Sequence, residues 1–366
     1  MQRSLSFRTE TWRRLKKNKG AVCGLVIIGL AVLLSLFGYL IVPDSSPNAD
    51  LQTVEIQAKK PGYKQQFLKV PDKRTTGSLF TQIISGKPST WRYVPISGYQ
   101  IKNDSLLVNK YIDEDTSVVQ YYSIAQLTNS APGTINSNII TKRYWLGTDK
   151  FGRDILSRLI IGTRVSLAVG LIAVLISLTL GIILGALAGY FKGWVDEVIM
   201  WLVNVTWSIP TLLLVFAITL AMGKGFWQIF IAVGLTMWVT VARLIRGQVM
   251  AVKELEFIQA AKALGYKNIR IIVRHILPNI LGPVMVIAAS NFATAIIVEA
   301  GLSFLGIGVQ PPQPSWGLMI KENYNFIITH NPLLALIPGF AIMLLVLAFN
   351  LLGNGLRDAV DRGPAP

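Results

Sequence analysis

At 366 residues, with 52% hydrophobic composition and a mean hydropathy of +0.50, the chain is too apolar for an ordinary soluble globule. Its net charge of +16 could suit a nucleic-acid binder, but the basic residues gather in segments flanking apolar runs, where lipid headgroups and the positive-inside bias place them. The partner is a bilayer and not nucleic acid, and the single cysteine, Cys23, lies inside an apolar run and rules out an intramolecular disulfide.

Residues 1–19 carry seven Lys or Arg against the single acid Glu10, directly before the uncharged run 20–43, so the N-terminus is expected in the cytoplasm. That run is longer than the apolar core of a signal peptide and lacks a convincing small-x-small cleavage site. It reads as an uncleaved first transmembrane helix. Residues 44–144 are polar, rich in Lys, Tyr, Ser, Thr and Asn, and contain no run long enough to span. They form an inserted, extracytoplasmic domain if the N-terminus is inside. Ser105–Tyr111 and Ser117–Ser123 alternate on either side of D-E-D and predict a β-hairpin.

The segment 145–164 contains L-G-T-D-K-F-G-R-D-I-L-S-R. Thr148 or Asp149 can cap a helix, and Asp149, Arg153, Asp154, Ser157 and Arg158 fall at spacings that permit ion pairs, which predicts an interfacial helix on the outer surface. Five more apolar runs follow over 165–356: Val165–Phe191, Val198–Gly223, Phe226–Ala242, Pro278–Val298 and Asn331–Leu352. With the first they make six helices. Gly181, Gly185 and Gly189 place a small residue at every fourth position of the second, which allows close packing. Pro210 is expected to kink the third. Glu299 lies near the end of the fifth, where an ionisable residue is either functional or reaches water.

Between the fourth and fifth runs lies the basic stretch Lys253 to Pro278, KELEFIQAAKALGYKNIRIIVRHILP. Its first half predicts a helix from Lys253 to Leu264 stopped at Gly265, with Ala260, Ala261 and Gly265 small enough for a partner to approach closely. Its second half predicts an amphipathic helix that buries Ile269, Ile272, Val273 and Ile276 and sets Lys267, Arg270 and Arg274 opposite, ending at Pro278. Counting spans puts this stretch and the tail 357–366, with Arg357 and Arg362, in the cytoplasm, in agreement with the charge rule.

E-F-I-Q-A-A-K-A-L-G with R-H-I-L-P-N resembles the EAA loop of permease subunits of ABC importers in the oligopeptide, dipeptide and nickel branch. The segment containing Gly147, Thr148, Asp149, Gly152, Arg153, Asp154, Ser157 and Arg158 resembles the signature before their second span. Q-P-P-Q-P-S-W-G and N-L-L-G-N-G-L-R-D resemble their outer loop and C-terminal end. The resemblance implies an all-α polytopic fold of six transmembrane helices, of the type I importer permease kind. It also implies that Glu256, Gln259, Ala260, Ala261, Gly265, Arg274 and Pro278 form the coupling helix and its flank. The family's usual Glu is here Gln259, and Asn354 replaces an acid. Implied partners are a homologous permease, two ATPase subunits and an extracytoplasmic substrate-binding protein. Pro210, Glu299 and Ser303 are candidate pathway residues.

His275 and His330 have no chelating companions in sequence, and no Walker lysine motif, G-x-S-x-G or H-E-x-x-H is present. No catalytic residue, metal or bound cofactor is expected. The resulting expectation is a membrane permease for peptides driven by partner ATPases. The alternatives are a self-sufficient secondary transporter or channel, an importer of nickel or another small solute, and a membrane-embedded hydrolase.

Overall fold

The computed structural model describes residues 7–72, 82, 84–102, 105–124, 127, 135–223, 225–328 and 331–361. Residues 1–6, His330 and Arg362 lie outside this set. The chain divides into two compact units, one of 1–32, 166–310 and 340–366, the other of 33–165 and 311–339.

Five described helices are long and apolar enough to cross a membrane, and a bent pair brings the count to six. They begin with α1 (Phe7–Lys17), which is short and basic, and α2 (Lys19–Ile41), the first spanning helix. Then come α3 (Ile155–Phe191), α4 (Gly193–Trp207), α5 (Thr211–Met222) and α6 (Phe226–Lys253). The chain closes with α7 (Glu256–Ala263), α8 (Leu281–Leu305), α9 (Trp316–Asn323) and α10 (Leu333–Asp361). Apolar runs set where these helices form, but three of them extend past the runs into polar sequence: α3 starts at Ile155, α6 reaches Lys253 and α10 reaches Asp361. The tail from 357 is therefore helix as far as the described residues go. Pro210 does more than kink its span: α4 and α5 meet at 93° across Ser208–Pro210. Proline lacks an N–H and its ring excludes the helical path of the preceding turn, so the break falls there.

In the first unit the glycine stripe packs as its spacing predicts. A side chain at Gly181 would collide with Val241, at Gly185 with Ala242 and Ile245, and at Gly189 with Arg246 and Val249, so α3 and α6 approach backbone to backbone. At the far end of this unit Leu15 and Ala21 pack with Ala359, and Asn18 donates to Asp358 at 3.2 Å. The ring of Phe292 stacks on Phe349 with centroids 4.0 Å apart.

The second unit contains a five-stranded antiparallel sheet of β1 (Tyr63–Pro71), β2 (Trp91–Lys102), β3 (Ser105–Tyr111), β4 (Ser117–Ser123) and β5 (Ile139–Tyr144), in the order β4-β3-β2-β1-β5. The predicted hairpin is β3–β4. Its turn is closed by the Asp113 carboxylate, which accepts from the Asp115 and Thr116 amides at 3.0 and 2.7 Å. Side-chain alternation buries Leu68, Val94, Ile96, Leu106 and Val108 in one cluster and Phe67, Tyr111, Tyr144 and Ile56 in another. Lys142 on β5 lies 3.3 Å from the Tyr93 ring centroid, and burial pulls its pKa down to about 8.

Candidate functional site

The two stretches that carry motifs are built in opposite ways. In the second unit, no interfacial helix covers 145–164. Residues 145–154 form a tight turn, with Thr148 and Asp154 bridged across it, and the helix begins only at Ile155 as the first turn of α3. Neither Thr148 nor Asp149 caps that helix. Asp154 does, accepting from the Ser157 amide at 2.9 Å and from the Ser157 hydroxyl. Thr148 instead donates its hydroxyl to the Ile56 carbonyl and accepts from the Lys59 amide at 2.9 Å. Gly147, Thr148, Asp149, Gly152, Arg153, Asp154, Ser157 and Arg158 are all buried. Gly152 has φ +72°, and a methyl group there would overlap the Thr53 carbonyl.

Burying these charges demands partners, and they come from three segments. Arg153 makes ion pairs with Asp149 at 2.6 Å, Asp50 at 3.0 Å and Glu322 at 2.6 Å. The Asp149 carboxylate also accepts the Phe151 and Arg153 amides at 2.9 and 3.0 Å. Glu322 sits in the last turn of α9, whose Trp316 indole donates to the Leu159 carbonyl at 2.9 Å and fills the space left by Gly162. The 311–339 loop is thus fastened to the first turns of α3 within this unit. Asp50 and Glu322 escape sequence reasoning because both stand far along the chain from the motif. No signal inside the motif points to them, because its own two acids and two arginines already balance.

In the first unit, the stretch 253–278 departs from its expected helices. Lys253 ends α6, residues 254–255 break the helix, and α7 starts at Glu256. Gly265 stops it as predicted, with φ +76° and the Tyr266 amide bonded to the Ala261 carbonyl at 3.2 Å. Gln259 donates its side-chain amide to the Lys253 carbonyl at 3.1 Å, closing the exposed end of α6. A carboxylate cannot donate there, which gives the glutamine a local reason. Ala261 is turned away from any partner: with Ile258 it packs into a cluster containing Tyr190, Ile245, Ile271 and Ile276. Glu256, Gln259, Ala260 and Gly265 are exposed.

The second half buries Ile271, Ile272, Ile276 and Ile280. The expected stripe through Ile269 and Val273 is wrong: they are 75% and 58% exposed, beside the exposed Arg270 and Arg274. A π-helical turn over Ile272–Ile276 spends an extra residue per turn and shifts the phase of the stripe. Pro278 does not end the helix either. It lies in a 3-10 turn, Leu277–Ile280, that leads straight into α8, and these irregular turns absorb the missing N–H. Asn268 accepts from the Tyr190 hydroxyl at 2.8 Å, and His275 stacks on Tyr266 with centroids 5.8 Å apart. Among the described residues no group of three or more His, Cys, Asp or Glu could hold a metal.

Of the pathway candidates, Pro210 is exposed at the helix break. Glu299 does not reach water. It is fully buried in α8 and accepts from the Ser303 hydroxyl at 2.6 Å, while Ser303 accepts from the Val309 amide at 3.0 Å. The pair ties the turn after α8 to the helix, and Gly308 leaves the room that Ser303 needs.

Residues 181–365 match the profile of the binding-protein-dependent transport system inner membrane component, and residues 6–58 that of the N-terminal TM domain of oligopeptide transport permease C. The chain is 39% identical over 292 residues to the dipeptide transport system permease protein DppC of Alkalihalophilus pseudofirmus, an alignment covering 77% of this chain and 96% of that protein. It is 44% identical over 218 residues to the glutathione transport system permease protein GsiD of Pectobacterium atrosepticum, covering 60% and 72%. Among solved structures, an inward-facing form of the MetNI methionine ABC transporter aligns with a TM-score of 0.47 at 18% identity, covering 57% of this chain and 98% of that one. Family profile, relatives and apolar helices agree: the chain belongs to the binding-protein-dependent transport system inner membrane components, as a multi-pass C-type permease of an ABC importer.

Proposed function

We propose that the chain carries peptides, with dipeptides as the first class to test, across the inner membrane using the energy of partner ATPases that dock on α7. The relatives named for dipeptide and glutathione transport support the cargo class. What carries the docking role is the division of α7 and its flank into two sides. Ile258 and Ala261 anchor the helix to the bundle, while Phe257, Leu264 and Ile269 stand exposed among Lys262, Lys267 and Arg270. Such an apolar patch with a basic rim suits a protein groove better than open water. A helix rooted in α3, α6 and α8 contacts would pass a partner's movement to the spans. Glu256, Gln259, Ala260 and Gly265 contribute the exposed backbone-near surface, and Arg274 and Pro278 the flank.

The remaining partners in this reading are a homologous permease and an extracytoplasmic substrate-binding protein. Both termini lie in the cytoplasm with α7. The bond from Asn18 to Asp358, and the packing of Gly282 against Val360, support a common end for the two termini and the coupling stretch. The five-stranded sheet then lies outside, as an insert on a type I permease core. Pro210 marks a bend that can line the pathway, and Glu299 with Ser303 a support behind it. The chain itself performs no catalysis and holds no cofactor or metal.

Co-purification tests the reading. The tagged chain should bring down ATPase subunits from its own membranes, and Leu264→Arg or Ala260→Glu, both on the exposed side, should lose them at unchanged expression and melting temperature. Wild type that binds no ATPase, or variants that bind as well as wild type, would remove α7 as the docking element.

A further inference from the structure

The ion cluster at the start of α3 shares its carboxylates unequally. One oxygen from each acid faces both guanidinium groups. Asp50 Oδ1 lies 3.0 Å from Arg153 and 3.6 Å from Arg158. Asp149 Oδ2 lies at 2.6 and 3.7 Å, and Glu322 Oε2 at 2.6 and 3.4 Å. Arg153 therefore holds three close bonds. Arg158, with its side chain 1% exposed, has one long hydrogen bond to Glu322, and its Nε and Nη1 atoms have none.

A buried guanidinium with unmade bonds is costly, so stability alone would not select this arrangement. The same acids seated on Arg158 would form a second arrangement of equal charge, and about 1 Å separates the two, a shift of the size that switches packed elements. The acids differ in their freedom to make it. Asp149 is pinned by two backbone amides of its own turn. Glu322 arrives on α9, a separate short helix that also touches the turn of α3 next to Arg158 through Trp316 and Leu159.

We propose that Glu322 is a positioning residue for transport: it passes between Arg153 and Arg158, giving α9 two seats on the start of α3, one for each access state. This rests on the permease reading above. A static role predicts the opposite of a two-seat role for Arg158, since Arg158 makes the weaker contacts in the observed seat.

The experiment uses the full chain assembled with its own permease, ATPase and binding-protein partners in proteoliposomes, reading ATP hydrolysis and uptake of a mixture of radiolabelled dipeptides separately. The double variant Arg158→Met/Asp50→Asn removes the second seat but keeps the cluster at one net negative charge, with one base and two acids in place of two bases and three. Glu322→Asp, shorter by one methylene, tests the reach. Each is expected to assemble, at some cost in melting temperature, and to hydrolyse ATP as wild type does while dipeptides taken up per ATP fall about tenfold, an uncoupling worth about 1.4 kcal/mol. Wild-type uptake per ATP in either assembled variant overturns the proposal. Should the double variant fail to assemble, Glu322→Asp decides alone by the same ratio. A wild-type complex without ATPase subunits or uptake would instead refute the permease reading, and this proposal with it.

Discussion

The turn from Gly147 to Arg158 and the stretch from Glu256 to Ile280 both carry sequence motifs, yet the fold treats their charges in opposite ways. The turn buries all eight signature residues and brings Asp50 and Glu322 to its arginines. The stretch keeps Lys267, Arg270 and Arg274 exposed, buries isoleucines beneath them, and leaves Leu264 and Ile269 uncovered. A motif held inside a unit is placed to fix geometry, whereas one left outside is free for a partner to reach. Substitutions in the first should therefore cost folding, and those in the second should cost association.

That contrast is broken most severely at Arg153. Arg153→Met leaves Asp50, Asp149 and Glu322 with Arg158 alone, and the loss should be about 3–5 kcal/mol, seen as a collapse of monodisperse protein in detergent and of its melting temperature. Retention of wild-type melting would mean the cluster is not a structural centre. Next in size is Ala261→Glu, which forces a carboxylate into the cluster of Ile258, Tyr190 and Ile271 and should cost about 3 kcal/mol. Its neighbour Ala260→Glu should leave melting unchanged and affect only ATPase association, and equal melting shifts at the two positions would erase the two-sided picture of α7. Smaller still is Gly265→Ala, where a φ of +76° makes any side chain strained and about 1 kcal/mol should be lost in the same melts.

The smallest effect concerns pH and the sheet. Lys142 titrates near 8 in the fold, below its ordinary 10.5, because burial disfavours its charged form. The unfolded chain binds that proton more tightly, so this lysine's contribution to stability grows as pH rises from about 8 to 10.5 and is lost as pH falls back through 8. Lys59 has the opposite sign. Burial alone would lower its pKa, but the ion pair with Glu114 at 2.9 Å and the nearby Tyr111 and Tyr63 phenols raise it to about 12. Its contribution is complete below 10.5 and is lost as pH passes 12. Melting temperature followed from pH 7 to pH 10 should therefore climb less in Lys142→Met than in wild type, and an identical slope would show that Lys142 is not held in a low-dielectric site.

Periodicity located the spans because burial in lipid or bundle demands little beyond apolar length, and it located β3 and β4 because both alternate and flank an acidic turn. It did not locate β1, β2 or β5. Pro95 and Gly98 interrupt β2, and Tyr63–Pro71 mixes charged and apolar residues that point to two packed faces, so neither reads as a half-buried strand. Helix ends were misplaced for a different reason. Thr148, Asp149 and Asp154 can all cap a helix, and only the fold shows that Thr148 is engaged by Ile56 and Lys59 and Asp149 by Arg153, which leaves the cap to Asp154. The stretch 253–278 failed in phase: a π-helical turn at Ile272 cannot be inferred from a pattern that assumes 3.6 residues per turn. The buried arginines were legible as a motif and illegible as a site, because Asp50 and Glu322 lie 103 and 169 residues from Arg153 along the chain.

The sheet enters and leaves at one place. β1 opens at Tyr63 and β5 closes at Tyr144, the two are directly paired across the ladder, and the Gly62 amide donates to the Tyr144 carbonyl at 2.8 Å. Chain ends that meet this way, about 5 Å apart, are what a polypeptide needs to gain or lose a module without stretching its host. The matched family segments, 6–58 and 181–365, both lie outside the sheet. The sheet is thus joined to the rest of the chain at one junction, where its first and last residues pair.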